Sequence, residues 1–139
     1  MFKSLDRNRE WGLVILRVVI GLLFLLSGLG KFGVIGPNNL QGTEGYFTSL
    51  GIPLPAVSAL LVATVETLGG LALILGLGTR IAAVLLAITM VVAIVTAKLP
   101  EGMNPQIYGF ELALLAGCVA LLFLGAGRPA LDQRFPALR

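Results

Sequence analysis

Six side chains set the chemistry open to this sequence: Arg17, Lys31, Tyr46, Glu66, Lys98 and Glu111. All but Tyr46 lie within or at the edge of long apolar runs. A charged residue inside a membrane helix costs about 2.5–3.5 kcal/mol on insertion scales, so it faces other helices or a polar cavity. At about 100° per residue, Arg17, Gly21, Phe24, Gly28 and Lys31 share one helix face. The two glycines would let a neighbouring backbone approach, and the two cations would need partners there. Such a constellation could be a set of structural ion pairs that fix helix register. It could also be a polar pocket for an amphipathic molecule, with a few polar groups in an apolar wall.

Other chemistries are excluded by residue type. There is no histidine, and Cys118 is the single cysteine. That removes an intramolecular disulfide, Cys-ligated iron–sulfur clusters, His-ligated haem and the usual zinc sites. It also removes Ser–His and Cys–His catalytic pairs, so no catalytic residue and no metal ligand is assigned. Cys118 is expected to be a small packing residue. Electrons, if any move here, belong to a bound organic molecule or to a partner, with no cofactor held covalently.

The elements that must position these residues follow from composition. Hydrophobic residues make up 57% of the chain and charged ones 12%, against about 25% charged in a soluble domain. Four apolar runs account for this, at about 11–30, 57–77, 81–97 and 107–124. Each approaches the roughly 17–25 residues that span a bilayer as a helix. The expected fold is all-α: an integral membrane four-helix bundle forming one domain over residues 1–139. The net charge of +3 does not point to nucleic acid, because the cations flank apolar runs. The first run follows a basic segment, as a signal peptide would, but it contains Arg17 and lacks an Ala-x-Ala-like site. It is read as the first span.

Glycines followed by a cation recur after apolar runs, at Gly28–Lys31, Gly76–Arg80 and Gly125–Arg128, the chemistry of helix C-termini. Between spans one and two, Gly36-Pro37-Asn38-Asn39 is a turn. Residues 43–51 then form a short interfacial helix, with Thr43 as N-cap and Gly51 as stop. Tyr46, Phe47 and Leu50 share its apolar side. Thr89 and Thr96 in the third span are expected to bond their own helix carbonyls.

Charge sets orientation. Lys3, Arg7, Arg9, Arg80, Arg128, Arg134 and Arg139 fall on one side, and Lys31 and Lys98 on the other. The positive-inside rule then places both termini in the cytoplasm. Counted from the cytoplasmic ends, Arg17 lies about five residues deep and Glu66 about eleven, roughly 8 and 16 Å. This predicts an Arg17–Glu66 pair. Lys31, Lys98 and Glu111 form a second cluster near the outer surface, below Tyr46.

The chain resembles the DoxX family of small bacterial membrane proteins across nearly its whole length. The resemblance is carried by Arg17 with Gly21, Phe24, Gly28 and Lys31, by Leu50-Gly51-Ile52-Pro53, and by Glu66 with Gly69-Gly70. It continues through Gly78-Thr79-Arg80, Glu111, and Gly125-Ala126-Gly127-Arg128 with Leu131-Asp132. It implies a multi-pass protein of the bacterial inner membrane with four helices. Some relatives are linked to thiosulfate:quinone oxidoreductase, others to oxidative-stress complexes with superoxide dismutase and a sulfurtransferase. Two functions are therefore carried forward. One is a membrane subunit that holds a quinone or similar apolar molecule for a partner oxidoreductase. The other is a non-catalytic anchor or scaffold whose charges stabilise the bundle and dock a neighbour. Membrane lipid, and other redox-complex subunits or further copies of the chain, are the expected partners. A self-contained enzyme ranks third.

Overall fold

Five helices and one π-helical turn make up the computed structural model, which describes residues 8–98 and 105–125. Helix α1 is Arg9–Phe32, α2 Leu40–Ser49, α3 Pro55–Leu75, α4 Thr79–Ala93 and α5 Pro105–Leu124. The π turn, Ile94–Lys98, continues α4. Lys3, Arg7, the Pro100–Pro105 turn up to Asn104, Arg128, Asp132, Arg134 and Arg139 lie outside the described residues. So does the side chain of Lys98.

Three helices are long and apolar enough to cross a bilayer: Arg9–Phe32, Pro55–Leu75 and Thr79–Ala97. The fourth long helix carries the apolar stretch Gly109–Leu124. Their boundaries follow local chemistry. Helix α1 runs through Gly28 and Gly30 and stops at Gly33, whose φ is +86°. The Val34 N–H reaches back to the Leu29 carbonyl at 3.0 Å. Helix α3 starts with Pro55 in its first turn and stops at Gly76 in the same way, with Leu77 N–H on the Ala72 carbonyl at 2.9 Å. Both are left-handed glycine terminations. The glycine-then-cation pattern therefore located the end of α3 and missed that of α1, because Gly28 serves packing.

That packing fixes the bundle. Helices α1 and α3 run antiparallel with their backbones in contact. A Cβ added at Gly21 would sit 2.6 Å from the Gly70 carbonyl oxygen, and one at Gly70 would sit 2.5 Å from the Leu25 nitrogen. Gly28 lies against Ala63 and Thr67. Gly69 faces the other way, onto Leu86 of α4. Helices α4 and α5 form a second hairpin-like pair. The two pairs meet at the Gly76–Thr79 turn end through Ile20, Phe24, Leu73, Ala83, Leu86, Cys118 and Leu121. Cys118 is fully buried in this core, the packing role expected of it. Arg80 closes the same end, its Nη2 donating to the Phe123 carbonyl at 3.5 Å. A cation there complements the α5 dipole.

Helix α2 lies across the opposite end and packs mainly on α3. It begins earlier than its sequence suggests, with Asn39 as the N-cap and its side-chain oxygen accepting from Gly42 N–H at 2.7 Å. Thr43, expected as the cap, is buried one turn inside. Its hydroxyl points to the carbonyls of Asn39, at 3.1 Å, and Lys31, at 3.3 Å. Gly51 does stop the helix, one residue beyond Leu50.

Candidate functional site

Lys31 occupies the last turn of α1, and its position decides where its charge goes. Side chains on a helix lean toward its N-terminus, so Lys31 points back into the bundle. Its Nζ donates to Ser27 Oγ at 2.9 Å and to Glu66 Oε2 at 3.1 Å. Glu66, at the middle of α3, is 2% exposed, and the Lys31 side chain is 25% exposed. The ion pair is therefore buried at the carboxylate and partly open at the ammonium.

This overturns the expected Arg17–Glu66 pair. The glycine contacts put Gly28 level with Ala63 and Thr67, and Gly21 level with Gly70 and Ile74. Glu66 thus lies beside Gly28, eleven residues from Arg17, or about 16 Å along the axis. That exceeds the length of an arginine side chain. Counting depth from helix ends failed because close glycine contact, not end alignment, sets the register. Arg17 is 3% exposed and belongs to the closed half of the bundle.

The two helix pairs part beyond the core, toward α2. Between them lies a cavity of about 910 Å³. Lys31, Tyr46, Glu66 and Glu111 all line it, and Arg17 does not. Of the expected outer cluster, Lys31 and Glu111 line the cavity from α1 and α5, with Lys31 bonded to Glu66, and the side chain of Lys98 lies outside the described residues. Tyr46 is half exposed at its α2 edge, and Phe47 beside it is buried. Ser27, Asn38 and Thr43 also line the cavity and went unassigned from sequence. Asn38 Nδ2 donates to Thr43 Oγ1 at 3.3 Å, and Thr43 in turn touches the Lys31 carbonyl. This chain of contacts ties α2 to the end of α1 that carries the ammonium. The Ser27–Lys31 spacing of four was the one signal available in sequence. Thr89 and Thr96 bond their own carbonyls at Leu85 and Val92, as expected.

The arrangement holds few polar groups in a mostly apolar enclosure. Lys31 carries three N–H donors, and two are directed to Ser27 and Glu66. Among the described residues, no three His, Cys, Asp or Glu side chains gather as a metal site would require.

Comparison with known proteins agrees with a membrane bundle. The family model described as DoxX matches residues 12–99. A Bacillus subtilis (strain 168) protein named "Putative oxidoreductase CatD" is 36% identical over 130 residues, covering 92% of this chain and 90% of its own length. An uncharacterized membrane protein of Mycobacterium tuberculosis (strain ATCC 25618 / H37Rv) is 38% identical over 134 residues, or 87% of this chain and 79% of its own length. The Escherichia coli (strain K12) inner membrane protein YqjF is 29% identical over 134 residues, or 93% and 95%. No solved structure matches. With its apolar helices and its matched residues, the chain is a membrane protein belonging to the DoxX family.

Proposed function

We propose that this protein holds a quinone, or a similar small apolar molecule, for a partner oxidoreductase in the bacterial inner membrane. The observation that carries the reading is the 910 Å³ cavity with the Lys31–Glu66 pair at one corner. A quinone head needs hydrogen-bond donors to its carbonyl oxygens within an apolar slot. Lys31 and Tyr46 supply donors at one end of such a slot. The oxidoreductase name of the Bacillus relative supports a redox setting. The chain binds and positions the molecule, and electrons come from the partner.

Saturable binding of a short-chain quinone is expected in detergent or vesicles. Lys31→Ala or Glu111→Ala should weaken it while helicity is retained. Folded variants that bind as well as the parent, or a parent without saturable binding, would replace this reading by the anchor or scaffold function. In the same reading both termini face the cytoplasm. Reporter fusions after residues 40, 79, 103 and 139 should then read outside, inside, outside and inside, and an outward C-terminus would refute the orientation.

A further inference from the structure

We infer that the cavity takes a single-chain amphiphile, with its head at the Lys31–Glu66 corner and its chain passing into the bilayer between α3 and α4. This rests on the ligand-holding reading above and names the ligand's class and its route.

Apart from Glu111 of α5, the charged side chains of the cavity gather on one side. Ser27, Lys31, Thr43 and Glu66 cluster where α1, α2 and α3 meet. Across from them, the α4 threonines have committed their hydroxyl protons, Thr89 to Leu85 O at 3.0 Å and Thr96 to Val92 O at 2.7 Å. The α4 threonines therefore offer no further hydroxyl proton to a head group.

Large apolar side chains border the cavity along both α3 and α4. Leu61 on α3 and Leu85, Ile88 and Val92 on α4 line the cavity. The same residues are 60%, 47%, 56% and 45% exposed, so neither helix covers them. From α1 and α5 the lining includes Leu26, Phe110 and Glu111, so a chain leaving on that side would meet a carboxylate. In water, apolar side chains at a seam close together to escape solvent. In a bilayer they gain nothing by closing, because acyl chains are as apolar as leucine. The cavity volume, about 910 Å³, lies near the top of the roughly 300–1,000 Å³ of ligand sites. It has room for a stretch of chain as well as a head.

The test uses the full-length protein in phospholipid vesicles containing a long-chain alcohol with a diazirine close to its hydroxyl. Alkyl diazirines label carboxylates well, and Glu66 is 2% exposed, so an adduct there reports a head end seated inside the cavity. Photolysis and peptide mass spectrometry should find the Glu66 adduct, and an excess of decyl-tailed quinone should suppress it. Ile88→Trp, at the seam's rim, should lower the adduct several-fold at unchanged helicity. Labelling confined to outward-facing residues, or an adduct undiminished in folded Ile88→Trp protein, overturns the seam route. The readout separates this inference from the quinone reading. An adduct formed without any quinone binding keeps the single-chain route and removes the quinone, whereas quinone binding without the adduct does the reverse.

Discussion

The two halves of this bundle are built from the same apolar residues and solve opposite problems. Toward the Gly76–Thr79 turn, small residues let helices touch: Gly21 meets Gly70, and Ala82, Ala83 and Leu86 fill the space against α5. Toward α2, the two helix pairs part around a cavity that the Lys31–Glu66 pair of α1 and α3 borders. Without a hydrophobic drive between helices in lipid, close van der Waals contact is what brings them together. One half spends its small residues on that contact. The other half lacks such contact between its two helix pairs, and remains open. The difference teaches that a membrane bundle can be anchored at one end and leave its other end free to hold something.

Charge sharpens the same contrast. Glu66 sits where the two halves meet, and its partner Lys31 belongs to the open one. Removing one member of a buried pair typically costs about 3–5 kcal/mol, and the partial exposure of Lys31 places Lys31→Leu toward the lower end. Glu66→Leu and Lys31→Leu should each lower thermal stability in detergent, and the double variant should recover much of the loss. By contrast, Arg17→Leu and Glu66→Leu should be additive, since their helices hold them apart. Strong coupling between Arg17 and Glu66 would break the register on which the comparison depends.

The closed half should be intolerant at its backbone contact. Gly70→Ala puts a Cβ against the Leu25 nitrogen, and overpacking of this kind costs about 1–3 kcal/mol. Gly12→Ala, on α1 with nothing nearby, should be neutral or stabilising by up to about 1 kcal/mol. Equal losses at both sites in thermal unfolding would remove the close-approach argument.

The smallest effect tests the cavity itself. Ala83 is fully buried in the core, whereas Ala93 lines the cavity. Ala83→Leu should lose about 1–3 kcal/mol to overpacking. Ala93→Leu has space to occupy and should change stability by less than about 0.5 kcal/mol, the range of substitutions that meet no packing conflict. If Ala93→Leu is as costly as Ala83→Leu, the two halves are equally packed.

Much of this was legible in the sequence. Long apolar runs need internally bonded backbone in lipid, so length and composition alone gave the helices, within a few residues. The glycine face of α1, the packing role of Cys118 and the self-bonded threonines of α4 were equally local matters, settled within one helix. Of the six candidate residues, Lys31, Tyr46, Glu66 and Glu111 line one cavity and Arg17 does not. What the sequence could not decide was axial register between helices, because nothing in one helix records how far another has slid along it. The contacts of Gly21 and Gly28 with α3 decided that, moved Glu66 from Arg17 to Lys31, and left the cavity between the two helix pairs. Nor could sequence show that Asn39 caps α2 and frees Thr43 to bond the Lys31 carbonyl, since both residues have suitable side chains and only the folded path of the loop selects between them.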